Sequence, residues 1–257
     1  MTLVYAHRGA AAELPENTLP SFRRALELGA DALETDVHLT VDGEIVATHD
    51  EDGARVAGVP RALRDVTLAE VRRWDAGHVF VDEQGERPFL GRGYRVPTLE
   101  ELLLELPPVR LNVDLKSEDP RLVARFLEIV RRAGAEGRVV AASFFRSTLV
   151  RLRRSGWQGE SSFAQSEFLA CWLWPRRLRW RRPAATRAQI PTGAGPLRFA
   201  TPRTLAKLHA LGVAVDFWTI NDPAEARALV ALGADGIMTD DPARIVPAVR
   251  EAALARG

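Results

Sequence analysis

Glu34 and Asp36 stand two positions apart in the run Ala32-Leu-Glu-Thr-Asp-Val37, with His7-Arg8-Gly9 upstream and Thr48-His49-Asp50 downstream. In a strand, residues i and i+2 project from one face, so the two carboxylates lie side by side. Two acids on a strand otherwise set for burial are costly without a cation to neutralise them. Their oxygens suit a hard ion such as magnesium, calcium or manganese. His7 and His49 add imidazoles able to take and give protons near neutral pH. Together these residue types point to metal-assisted acid–base chemistry.

The elements that must position them can be read from periodicity. Short apolar runs at residues 3–7, 32–37, 109–115, 138–143, 160–164, 186–190, 214–219 and 236–239 read as strands, the fifth and sixth being the faintest. Amphipathic helical patterns at 18–28, 99–106, 121–133, 147–154, 202–211 and 223–232 lie between them. Several stop at glycine, as at Gly29, Gly134, Gly156, Gly212 and Gly233, the usual helix terminator. Strand–helix alternation implies a parallel sheet. Eight such units in 257 residues imply an α/β fold, a (β/α)8 TIM barrel, as one domain over residues 1–257. His7, Glu34, Asp36, Asp114, Lys116, Ser143, Trp218 and Asp240 then fall at or near C-terminal strand ends, the rim where such barrels build active sites.

Residues 50–96 break the alternation as an insertion after the second strand. They carry a short helical piece at 68–74 and a Gly- and charge-rich loop through Gly93. Long ordered loops often serve function, so this one is expected near the barrel mouth, where it could gate a pocket. The plainer alternative is a solvated loop.

Bulk properties exclude several classes. Apolar content of 46% and charged content of 27% are those of a water-exposed globular protein. A net charge of +1 argues against generic nucleic-acid binding. The single cysteine, Cys171, excludes an internal disulfide and fits a reducing compartment. The N-terminus lacks the basic start and apolar run of a signal peptide, and no stretch reaches the roughly 20 apolar residues of a membrane span. A cytoplasmic location is the expectation; nothing specifies an oligomeric state. Of 35 basic residues only Lys116 and Lys207 are lysine, which suggests that position 116 needs a compact ammonium rather than a planar fork.

The chain resembles the glycerophosphodiester phosphodiesterases. The resemblance is carried, in order, by His7-Arg-Gly9, Pro15-Glu-Asn-Thr18, Glu34-Thr-Asp-Val-His-Leu-Thr-Val-Asp-Gly43, Thr48-His-Asp50, Val113-Asp-Leu-Lys116, Ser143-Phe144, Phe217-Trp-Thr-Ile-Asn-Asp222 and Asp235-Gly-Ile-Met-Thr-Asp240. It implies cleavage of small glycerophosphodiesters to glycerol 3-phosphate and an alcohol. Attack by the glycerol 2-hydroxyl would give a cyclic phosphate that water then opens. It assigns His7 and His49 to proton transfer, Arg8, Lys116 and Trp218 to substrate, and Glu34, Asp36 and Asp114 to one divalent ion, magnesium or calcium. Fixed cations relieve the charge that develops on nonbridging oxygens. The third ligand in the family is usually glutamate; Asp114 is shorter by one methylene. Glu16 is expected to help bind metal or to order Arg8, and Asn17 to cap the first helix. His38, His78 and His209 read as structural, although His38 shares the face of Asp36.

Two other functions compete. One is a lysophospholipase D-type activity on lysolipids, favoured by an apolar groove beside the site; the other is a catalytically silent phosphodiester-binding barrel. Residues 167–182 bear on the first. They hold three of the six tryptophans, and no acid follows Glu167 until Asp216. Tryptophan with clustered arginine suits weak peripheral contact with an anionic membrane. The favoured reading is an outer barrel helix with tryptophans turned inward.

Overall fold

The structure, a computed structural model, describes residues 1–173 and 183–255. Eight parallel strands form the barrel: β1 (Leu3–His7), β2 (Ala32–Leu39), β3 (Arg110–Leu115), β4 (Val139–Ala142), β5 (Glu160–Ser161), β6 (Arg187–Ile190), β7 (Ala214–Phe217) and β8 (Gly236–Thr239). Their spatial order is β5-β4-β3-β2-β1-β8-β7-β6, and a single parallel bridge between Ser162 and Arg187 joins the two ends. The expected TIM barrel is the observed fold. A short strand, Ile45–Ala47, adds antiparallel to β2.

Helices on the outside are α1 (Leu19–Glu27), α2 (Leu99–Glu105), α3 (Pro120–Arg132), α4 (Arg146–Arg154), α5 (Gln165–Leu173), α6 (Pro202–His209), α7 (Pro223–Leu232) and α8 (Pro242–Leu254). Five of them, α1, α3, α6, α7 and α8, start in one way. A Thr or Asp side chain at the N-cap accepts a backbone N–H, with proline in the first turn. Each strand-to-helix loop is thereby given a fixed end. The cap of α1 is Thr18, which corrects the assignment to Asn17. Asn17 instead has a positive φ of 55°, and its Oδ1 accepts from the Thr35 hydroxyl at 2.7 Å.

Apolar faces of strands and helices close against each other in the outer layer. Phe22, Leu99, Leu122 and Phe126 bury onto Leu33, Leu111 and Val113 on one side of the barrel. Leu205, Leu229 and Ile245 bury onto Val215, Phe217 and Ile237 on the other. The helix α8 and the brevity of β5 depart from the expected pattern. β5 is two residues long because the chain leaves the sheet after the Ser162 bridge and enters α5.

Register sets the rim. His7 pairs with Glu34 across β1 and β2, and Asp36 pairs with Asp114 across β2 and β3. Residues 50–96 form several short elements rather than a bare loop, including the helices Ala54–Ala57 and Leu68–Val71. They have an apolar cluster of their own around Val56, Leu63, Val66, Val71 and Trp74.

Within residues 167–182, Trp172 turns inward. Its ring lies edge-on to Phe199 at 5.2 Å, and its Nε1 donates to the Thr204 hydroxyl. Trp174, Trp180 and the arginines at 176, 177, 179, 181 and 182 lie outside the described residues. Among the described residues no helix is long and apolar enough to cross a membrane.

Candidate active site

The turn after β1 explains the spacing of His7-Arg8-Gly9. Arg8 and Gly9 both take positive φ, 59° and 91°. A Cβ on Gly9 would lie 2.4 Å from the Ser21 hydroxyl and 2.8 Å from its carbonyl carbon, so only glycine lets the rim approach α1 this closely. His7, at the strand end, is held through Nδ1 by Asp240 Oδ1 at 2.6 Å. Asn221 donates to the other oxygen of Asp240 and accepts the Asp240 backbone N–H. The ring therefore presents Nε2, 3.8 Å from Glu34. Burial alone would lower the His7 pKa, but Glu34 and the Asp240 hydrogen bond outweigh it and raise it.

Glu34, Asp36 and Asp114 are all buried inside the rim, with two cations among them. Lys116 Nζ bridges Asp36 at 2.8 Å and Asp114 at 2.7 Å. Arg8 Nε lies 3.0 Å from Asp36 Oδ2, close but not aligned as a hydrogen bond. Arg8 NH1 reaches Glu16 at 3.2 Å, so Glu16 orders Arg8 as expected. Burial, and next Asp36, push the Glu34 carboxyl up to about 8. Burial raises Asp114 too, although Lys116 opposes it. For Asp36, burial acts upward, but Lys116 and Arg8 prevail and hold it below the usual carboxylate range.

His49 follows the strand Ile45–Ala47, and the backbone N–H of Thr48 before it donates to the Asp36 carbonyl. Its Nδ1 meets Asp50 Oδ1 at 2.7 Å, so both histidines use a carboxylate on Nδ1. Burial lowers the pKa of His38, whose Nε2 bonds the His49 carbonyl at 3.0 Å. His38 thus steadies the loop that carries His49. Trp218 stands edge-on to Phe144 with centroids 6.0 Å apart, and Lys116 Nζ lies 5.4 Å from the Phe144 centroid.

All eight residues singled out from sequence, namely His7, Arg8, Glu34, Asp36, His49, Asp114, Lys116 and Trp218, line one cavity of about 360 Å³. The same cavity is also lined by the apolar side chains of Phe163, Phe168, Leu169, Ile190 and Phe199. Residues 7–244 match the model of the glycerophosphoryl diester phosphodiesterase family. The chain belongs to that family.

Glycerophosphodiester phosphodiesterase of Caldanaerobacter subterraneus subsp. tengcongensis is 31% identical, over 97% of this chain and 98% of that one. The human lysophospholipase D GDPD1 is 27% identical, over 93% and 83%. The glycerophosphoryl diester phosphodiesterase domain of Rv2277c from Mycobacterium tuberculosis superposes with a TM-score of 0.83 at 19% identity, over 97% and 99%. That last likeness concerns the fold. This family member is a phosphodiesterase.

Two roles were missing from the sequence reading. Asp240 was placed only at the rim, yet it holds His7 directly. Arg55, in the insertion, was not singled out, although it bonds Asp50 at 2.6 Å and Glu16 at 2.7 and 3.0 Å. Gln189 donates to Asn112 at 2.7 Å while lining the cavity.

The acids fit a hard divalent ion in kind. All are oxygen donors, and the buried Asp36 Oδ2 and Asp114 Oδ1 have no hydrogen-bond partner. Among the described residues no three His, Cys, Asp or Glu side chains are gathered closely enough to hold an ion together. The cations standing among the acids are Lys116 and Arg8.

Proposed function

We propose that this phosphodiesterase hydrolyses glycerophosphodiesters to glycerol 3-phosphate and an alcohol, with His7 and His49 moving the protons. The observation that carries the reading is the matched pair of imidazoles, each held through Nδ1 by a carboxylate, on the same cavity as Arg8 and Lys116. Holding Nδ1 fixes the ring and leaves proton transfer to Nε2. One imidazole takes the proton of the glycerol 2-hydroxyl as its oxygen bonds to phosphorus. The other protonates the departing alcohol as the phosphorus–oxygen bond to it breaks. Water then opens the cyclic phosphate with the proton roles reversed.

Arg8 and Lys116 offset the charge on the nonbridging oxygens, and Trp218 stacks on the glycerol backbone. Glu34, Asp36 and Asp114 would hold one divalent ion, magnesium or calcium, which supplies further charge neutralisation at the phosphate. Hydrolysis of a panel of glycerophosphodiesters, followed by release of glycerol 3-phosphate, tests the reading; no release from any diester would refute it.

A second reading rests on the apolar lining. Phe163, Phe168, Leu169, Ile190 and Phe199 line the same cavity as the charged residues and suit an acyl chain, as in a lysophospholipase D. Comparing kcat/KM on glycerophosphocholine and lysophosphatidylcholine separates the two. A preference for the lysolipid that disappears in Leu169→Asp would favour the second.

A further inference from the structure

Arg55 projects from Ala54–Ala57, a helix of the insertion, into the region between two catalytic groups. Its NH1 and NH2 form a two-pronged bond to Glu16, at 3.0 and 2.7 Å. Its Nε donates to Asp50 Oδ2 at 2.6 Å. Each carboxylate holds a second group: Glu16 Oε1 accepts from Arg8, and Asp50 Oδ1 is bonded to His49. A continuous chain Arg8–Glu16–Arg55–Asp50–His49 therefore links a phosphate-binding cation to a proton-transfer histidine. It joins the loop before α1 to the loop after the Ile45–Ala47 strand.

The support under Arg55 is rigid. Val56, its neighbour, is buried in the insertion's own cluster. A Cβ on Gly53 would lie 2.7 Å from the Trp74 ring and 2.7 Å from the Val59 carbonyl, so the helix starts packed tightly on that cluster. An isolated exposed ion pair contributes only about 0–1 kcal/mol to stability, and the Arg55 side chain is 44% exposed. Stability thus gives little reason for three directed bonds into two carboxylates. Orientation does, because a planar fork fixes two partners at once.

We propose that Arg55 is a positioning residue for the reaction: it ties the Asp50 that holds His49 to the Glu16 that holds Arg8, so the insertion braces the two halves of the site. The inference rests on the assignment of His49 and Arg8 to the chemistry given above.

The test uses glycerophosphocholine hydrolysis by wild type, Arg55→Gln, Arg55→Lys, Asp50→Asn, the Arg55→Gln/Asp50→Asn double variant and His49→Ala, each with its thermal unfolding. Expected is a fall in kcat of about 10–100-fold for Arg55→Gln, the usual scale for partners that orient reacting groups, at an unchanged unfolding midpoint. Arg55→Lys keeps the charge without the fork and should fall between. The double variant should be no worse than the weaker single variant, because both break one chain. Wild-type kcat in Arg55→Gln beside an inactive His49→Ala would overturn the brace alone, as would fully multiplicative losses. An active His49→Ala would overturn the functional reading and the brace with it.

Discussion

Near the N-terminal ends of the strands, Arg187 grips Asp216 with bonds of 2.7 and 2.5 Å and reaches Glu160 at 3.3 Å. Arg110 grips the same Glu160 with bonds of 2.8 and 3.0 Å. At the C-terminal rim of the same barrel, Glu34, Asp36 and Asp114 stand on the neighbouring strands β2 and β3. There Asp36 Oδ2, Asp114 Oδ1 and Arg8 Nε are buried without hydrogen bonds. Both clusters place arginine and carboxylates inside one barrel. In the lower one, acid and base are matched in forks, which is how a buried charge becomes tolerable. In the upper one, Lys116 spans Asp36 and Asp114 and Arg8 stands beside Asp36, yet one oxygen of each aspartate has no hydrogen bond. Unmet polar groups at a rim belong to binding, and matched ones beneath it belong to the fold. The lower cluster keeps one exception, the Tyr5 hydroxyl, which is buried without a partner. Burial first, and Asp216 next, push its pKa up. Gly236 makes room there, since a Cβ would meet Asp216 at 2.3 Å.

If the lower cluster is structural, breaking it should give the largest effect. Asp216→Ala leaves the Arg187 charge with only its longer contact to Glu160 and should cost about 3 kcal/mol of stability, measured by denaturant unfolding. Arg187→Met with Asp216→Leu should cost less than Asp216→Ala, because removing both charges leaves neither unpaired. A mild effect of Asp216→Ala would erase the distinction between the clusters.

The rim should respond in the opposite way. His7→Ala and His49→Ala should each lower turnover by at least about 10²-fold, with nearly unchanged unfolding midpoints. Normal turnover in either variant removes that histidine from the chemistry.

A smaller change sharpens the role of the rim cation. Lys116→Arg keeps the charge but sets a planar fork between Asp36 and Asp114. Activity should fall about 10-fold or more, since an ångström of misplacement alone can cost ~10²-fold. An arginine variant with wild-type kcat/KM would retire the inference drawn from the scarcity of lysine.

The last test of the comparison concerns pH. Burial, then Asp36, raise Glu34 from 4.5 to about 8. In chelator-treated protein the folded state then binds more protons than the unfolded state across that window. Stability should therefore fall as pH rises from about 4.5 to about 8. Glu34→Gln should flatten the slope, and an equally steep slope in that variant would assign it to other groups.

Much of this contrast was legible in the sequence, but unevenly. Leu3–His7 and Gly236–Thr239 match the expected first and last strands because each is an apolar run bounded by turn residues. The rim residues were legible through i, i+2 spacing, which carries directly into a shared strand face. The lower cluster was not, because Arg187 and Asp216 are 29 residues apart. A lone charge in a faint strand gives no sign of its partner. For the same reason the partners of Asp240 and Arg55 were not legible: Asp240 reaches His7 across 233 positions, and Arg55 reaches Glu16 across 39. Asn17 was misread because Asn, like Thr, is a common cap, and local sequence does not reveal that Thr18 holds that place.

The contrast between a rim cluster with unmet carboxylate oxygens and a lower one matched in forks bears directly on the proposed metal dependence. Release of glycerol 3-phosphate from glycerophosphocholine should be followed in protein stripped with chelator and then resupplied with magnesium, calcium or manganese. Expected is loss of activity on stripping and recovery with at least one ion, at an unchanged fold. Full activity in thoroughly stripped protein would contradict the assignment of Glu34, Asp36 and Asp114.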